Sequence, residues 1–218
     1  PGIFRNIQDH RDKVGVAFDT RTFRNSLEWH ISPTYQELKD GTPDLTKTKT
    51  LSTVMSSRRF RLGHKLRIRL LCYLVDRTEI DVYGAGHAMR WISKDAPSAG
   101  REMGALPYRQ KDAGLFPYRY TYAAENTQEE NYFTEKLIDA ILSECLCFYW
   151  GCPNVHQWID PRAYIPITVH DPRHTLSVIQ AAIDSNEWER RLPYIREAKA
   201  KILDELQIFP TLERLLDA

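Results

Sequence analysis

Carboxylates, carboxamides and cations standing at strand ends or in the first turn of a helix can hold a charged ligand. Glu125-Asn126 and Glu135-Lys136 form two such pairs, ten residues apart. Upstream, Arg61, His64 and Arg67 recur at three-residue intervals. Guanidinium groups and the backbone N–H groups of a helix start both favour an anion, so this cluster is a candidate diphosphate site. Local sequence alone also allows plainer readings. Glu135-Lys136 could be an exposed ion pair, and the arginine cluster a solvated helix face.

The surrounding pattern decides where these residues stand. Tyr120 to Ala124 reads as a strand that ends abruptly at Glu125-Asn126 and a polar loop. Phe133, Leu137, Ala140, Ile141 and Glu144 then fall three or four apart, the period of a helix. Thr134 stands where a capping hydroxyl is expected. A second apolar run, Leu146 to Trp150, stops at Gly151-Cys152-Pro153. Strand, helix and strand make a βαβ unit, which requires a parallel pair. Thr50 to Ser57, a helix from Gly63 with a Leu66, Leu70, Leu71, Leu74 stripe, and Glu79 to Gly84 make another. The expected class is α/β, a Rossmann-like parallel sheet with flanking helices. In such sheets ligands bind at the carboxyl ends of strands. Glu125, Asn126, Glu135 and Lys136 are therefore expected at a ligand.

The remaining chain is less informative. Val14 to Phe18 could be a short strand, and Asp40-Gly41-Thr42-Pro43 marks a turn or linker. Trp29, His30 and Tyr35 read as packing or as part of an acceptor face. Gly84-Ala85-Gly86-His87 is only a partial glycine-rich pattern, and residues 88–111 read as a long irregular connection. Val155 to Ile159 suggests a short helix and Ala163 to Val169 a short strand. Asp171-Pro172 opens a helix, Asn186 caps another with a kink at Pro193, and a last one follows Pro210. Two segments are expected: residues 1–46, and a sheet domain over 47–218.

The 218 residues carry 30 basic and 29 acidic side chains, a net charge of +1, so charge does not imply a nucleic-acid partner. No run is long and apolar enough for a membrane span, and no leader pattern opens the chain. Cys72, Cys145, Cys147 and Cys152 lack a second ligand pair for zinc and are expected as buried free thiols. These features point to a reducing compartment, the cytoplasm of a bacterial or viral type rather than the Golgi lumen. The chain begins at Pro1 without methionine, so further domains of a longer native protein are expected.

Tyr118-Arg119-Tyr120, Ala124-Glu125-Asn126-Thr127, Tyr132-Phe133-Thr134-Glu135-Lys136-Leu137 and Trp150-Gly151-Cys152-Pro153-Asn154 together resemble a known signature. It is the donor-binding signature of the α1,3/α1,4-fucosyltransferases, glycosyltransferase family 10. Ser56-Ser57, Arg67, Asp81-Val82-Tyr83-Gly84 and Asp160 to Ile165 extend the resemblance over about residues 50–185. Arg119, Ala124 and Ser57-Arg58 depart from the family's Lys, Phe and Ser-Asn.

The resemblance implies the donor-binding half of a two-domain GT-B enzyme. It implies inverting transfer of fucose from GDP-fucose to a glycan hydroxyl without an obligatory metal or other cofactor. Arg67 and Lys136 would stabilise the leaving diphosphate. Glu135 would accept from the ribose hydroxyls, Tyr132 would meet the base, and Asn126 and Glu125 would fix sugar or phosphate. Arg119 and Thr134 are further donor-binding candidates. Asp19, Glu28 and Glu37 are the carboxylates of the first segment. None matches the family's general base, which is expected outside this chain. Another nucleotide-sugar donor, or a non-catalytic nucleotide-sugar-binding module, remains as an alternative.

Overall fold

The computed structural model describes residues 28–56, 58–84 and 100–207. Six strands form one sheet: β1 (Lys49–Val54), β2 (Asp81–Tyr83), β3 (Arg101–Gly104), β4 (Tyr118–Ala124), β5 (Leu146–Trp150) and β6 (Tyr164–Pro166). Every pairing is parallel, in the order β3-β2-β1-β4-β5-β6. That is the doubly wound order, and its direction reverses between β1 and β4. The five residues of β5, Leu-Cys-Phe-Tyr-Trp, are all buried, as an interior parallel strand covered on both faces requires.

Among the described residues, five helices accompany the sheet: α1 (Tyr35–Lys39), α2 (Leu62–Val75), α3 (Glu135–Leu142), α4 (Pro172–Asp184) and α5 (Glu187–Lys201). Helix α2 crosses from β1 to β2 and α3 from β4 to β5. Right-handed crossovers that leave the switch point in opposite directions put the two helices on opposite faces. Helix α2 packs with α4, and α3 with α5. Leu70, Leu71, Leu74, Leu137, Ile138 and Ile141 are fully buried beneath them. Each such side chain contributes about 1.5–3 kcal/mol of transfer free energy.

Several expectations are corrected. Residues 88–111 include edge strand β3, whose exposed Arg101, Glu102 and Met103 carry no alternating signal. Pairing to β2 and the Arg101 Nε bond to Asp81 Oδ1 at 2.9 Å hold it. Asn186 makes no side-chain cap. It adopts φ 54°, the left-handed conformation that ends α4. Asp171 does cap α4, accepting from the Arg173 and His174 N–H groups. Pro193 lies inside α5 without ending it. All four cysteines are free, and Cys72 is only half-buried. Ile31 and Leu38, before the sheet, belong to the common core. Val14 to Phe18, Asp19, Ala85 to His87 and the segment after Pro210 lie outside the described residues.

Candidate functional site

The site lies where β1 and β4 end, at the reversal of strand order. Gly63, in the first turn of α2, lies so near the Asn126 carbonyl that a Cβ would overlap it. Glycine thus lets the start of α2 touch the end of β4. One turn on, Arg67 enters the gap with 2% of its surface exposed. Its guanidinium donates to Asn126 Oδ1 at 2.8 Å, Ser56 Oγ at 3.1 Å and the Ala124 carbonyl at 3.3 Å. Its Nε has no partner among the described residues. No carboxylate pairs with Arg67 among the described residues; its bonded partners are all neutral. Burial lowers the Arg67 pKa, while Tyr122, Glu125 and Glu135 act the other way. His64 accepts the Arg61 N–H on Nδ1 at 3.1 Å, so the neutral ring carries its proton on Nε2. Burial, then Arg67, keeps that ring's pKa low.

The opposite wall is built from β4 and α3. Glu125 is fully buried. Its Oε1 accepts the Thr134 N–H at 2.7 Å, and its Oε2 accepts Lys136 Nζ at 3.0 Å. Thr134 Oγ1 reaches both carboxylate oxygens, at 2.9 and 2.8 Å. Thr134 is therefore the N-cap residue of α3 by position only, because its hydroxyl serves Glu125 and Lys136 instead. A row of alternating charges continues from there. Lys136 Nζ lies 3.4 Å from Glu135 Oε1, which lies 3.4 Å from Lys111 Nζ. Lys111 in turn bonds Asp139 Oδ2 at 2.7 Å, and the His30 N–H donates to Asp139 Oδ1 at 2.6 Å. Burial pushes the Glu135 carboxyl up, but Lys136 and Lys111 outweigh it and hold the pKa at about 2. Burial depresses Lys136, but Glu125 and Glu135 together raise it.

These walls enclose a cavity of 450 Å³. It brings the buried Arg67, which has no ionic partner among the described residues, together with the paired cations Lys136 and Lys111 and the low-pKa carboxylate of Glu135. That arrangement can take a ligand with a strong anion next to hydroxyl groups.

The family model described as "Glycosyltransferase family 10 (fucosyltransferase) C-term" matches residues 45–194. The chain belongs to this family. "GDP-fucose protein O-fucosyltransferase 3" of Danio rerio is 28% identical over 117 residues, 53% of this chain and 25% of that protein. "Alpha-(1,3)-fucosyltransferase FucT" of Helicobacter pylori is 38% identical over 63 residues, 29% and 13%. The chain therefore matches a quarter or less of each of these relatives. The crystal structure of an α1,3-fucosyltransferase with GDP superposes with a TM-score of 0.52 at 19% identity, covering 84% of this chain and 52% of that one. The fold is the Rossmann-like half of a GT-B glycosyltransferase.

Within this family-10 domain, the eight residues singled out from sequence take different places. Arg67, Asn126, Glu135 and Lys136 line the cavity together. Glu125 and Thr134 do not line it; they lie behind Lys136 and hold it. Tyr132 sits in the loop before α3, its N–H bonded to Glu129, and does not line the cavity. Arg119 is a clear correction. It is near the start of β4, at the other end of the strand, with its guanidinium 5.5 Å from the Trp188 ring. Sequence reasoning did not single out Tyr108, Arg109, Lys111 or Arg58 as site residues; it gave His30 to packing or an acceptor face, and named His64 only within the candidate diphosphate cluster. All six line the cavity. The length of the connection over 88–111 was the signal for three of them. Glu37 is consumed by a capping box with Thr34, and Glu28 pairs with Arg109 at 2.9 Å.

Proposed function

We propose that the cavity binds the diphosphate of GDP-fucose and that this chain is the donor-binding part of an inverting fucosyltransferase. One observation carries the reading. Arg67 is a buried cation with no anionic partner among the described residues. An uncompensated buried charge is costly, so the site is built to be completed by an anion. One relative's name specifies a protein acceptor and the other's an α1,3 linkage, yet both names specify fucose. The donor is the shared element, and this half of the fold is where it would bind.

In the reaction, an acceptor hydroxyl attacks the anomeric carbon from the face opposite the diphosphate. The bond from that carbon to the β-phosphate oxygen breaks, and GDP leaves with the electron pair. Arg67 and Lys136 meet the charge that grows on the leaving oxygens. The anionic Glu135 accepts from the ribose hydroxyls. The acceptor's proton passes to a base supplied from outside this domain, and the acceptor itself is a glycan.

Calorimetric titration of the chain with GDP, UDP and CMP tests the donor reading. GDP is expected to bind in the micromolar range and more tightly than the other two. Arg67→Ala or Lys136→Ala proteins that bind GDP as tightly as the unmodified chain would sink the site assignment.

A further inference from the structure

The cavity has a second end that the diphosphate reading does not use. Along its wall, Lys136 lies beside Glu135, and Glu135 Oε1 lies 4.0 Å from His30 Nδ1. The His30 ring is in turn 5.9 Å from the Tyr108 ring, tilted at 53°. Cation, carboxylate and aromatic pair thus follow one another in space. A nucleoside diphosphate has the same order, with ribose between phosphate and base.

Two features mark this end as made for a ligand. Tyr108 is 81% exposed, a large ring left in water at the lip of a cavity. His30 Nε2 is buried without a hydrogen-bond partner among the described residues; the Glu28 carboxylate is 3.6 Å away. The backbone here is held firmly. The His30 N–H bonds Asp139, and the Lys111 N–H bonds the His30 carbonyl at 3.1 Å. The Arg109 guanidinium lies 5.6 Å from the Tyr108 ring centroid. An aromatic ring backed by an arginine can stack any nucleobase, and an unpaired imidazole nitrogen can read a base edge.

We propose that His30 and Tyr108 receive the nucleobase of the donor, with Tyr108 supplying the stacking face and His30 the polar contact to the purine edge. This rests on the donor reading above. It replaces Tyr132, the residue that the family resemblance put at the base.

The test is calorimetric titration of the full chain with GDP, UDP and inorganic pyrophosphate. Tyr108→Ala is expected to weaken GDP about tenfold, the loss of one base–aromatic stack, and to leave pyrophosphate unchanged. Tyr108→Phe, which keeps the ring, is expected to bind GDP like the unmodified chain. His30→Ala is expected to narrow the preference for GDP over UDP. If the unmodified chain binds GDP and both alanine variants bind it equally well, the base assignment falls and the donor reading stands. Equal losses for GDP and pyrophosphate would reveal a merely structural effect and also overturn it. An unmodified chain with no affinity for GDP overturns both readings.

Discussion

The Glu125 carboxylate lies 3.0 Å from the Lys136 ammonium, with none of the Glu125 side chain exposed. A buried anion beside a diphosphate site looks counterproductive, since it opposes the ligand's charge. Its effect is on Lys136. Glu125 raises the pKa of that half-buried amine and, through Thr134, fixes the turn that carries it. Glu125→Gln keeps the shape and removes the charge. It is expected to cost about 3–5 kcal/mol of stability, the usual loss on breaking a buried pair. With Glu125 neutral, burial depresses the Lys136 pKa, so GDP binding should weaken with rising pH at lower pH than in the unmodified chain. Titrations from neutral to alkaline pH compare the two; superimposable profiles would show that Glu125 does not set the charge of Lys136.

Acid stability should report on Glu135. Its folded pKa of about 2 lies below the ordinary carboxylate value, held there by Lys136 and Lys111 against burial. A depressed folded pKa adds stability that is fully present above the unfolded pKa. That stability is lost as pH falls toward the folded one, here between about pH 5 and pH 2. The amount is about 3 kcal/mol. Asp139 acts in the opposite sense, because burial raises its pKa more than Lys111 lowers it. Glu135→Gln isolates the Glu135 contribution. Its Tm is expected to fall less than that of the unmodified chain between pH 5 and pH 3, followed by circular dichroism.

How far the sequence disclosed this follows from the range of the interactions. Strand β4, helix α3 and strand β5 were legible because their apolar periods are local and strong. So were Asn126, Glu135 and Lys136, which such a unit must place at its carboxyl end. Arg119 misled because a motif records spacing and not the direction in which a strand runs. It falls at the wrong end of β4. Glu125 and Thr134 stand behind Lys136 rather than in the cavity, since burial cannot be read from a charged residue in a loop. His30, Tyr108 and Lys111 reach the site through contacts between segments far apart in the chain, such as His30 with Asp139, and beyond the length of the connection over 88–111 no local pattern announces them. Edge strand β3 was missed because its exposed residues bear no alternation to detect.

Arg67 offers a trade between stability and binding. Holding a charge in a buried site without an ionic partner is costly. Arg67→Met removes a buried charge without an ionic partner and frees Ser56, Asn126 and the Ala124 carbonyl at a cavity wall where water can reach them. The ligand-free variant is expected to melt at or above the Tm of the unmodified chain. It should also lose the rise in Tm that GDP gives, because only a ligand that binds the folded state stabilises it. Thermal melts with and without GDP give both numbers. A variant markedly less stable without ligand would mean that Arg67 is a structural cation rather than a waiting one.

Gly63 ties the two walls together, and its replacement tests whether their closeness matters. A Cβ at this position would overlap the Asn126 carbonyl, which is backbone and cannot swing aside. The start of α2 must then move away from the end of β4, and Arg67 moves with it. Forced overpacking of this kind costs about 1–3 kcal/mol. The loss in binding is expected to exceed the loss in stability. The 2.8 Å Arg67–Asn126 bond depends on the contact that the glycine permits, whereas the core under α2, built on Leu70, Leu71 and Leu74, can shift as a unit. Gly63→Ala should therefore stay folded by circular dichroism and bind GDP at least tenfold more weakly. Gly41→Ala provides a control for an added methyl group at a glycine. Gly41 has φ 67° but nothing near its Cβ position, so the substitution strains a turn remote from the cavity. It should lower Tm slightly and leave GDP binding unchanged.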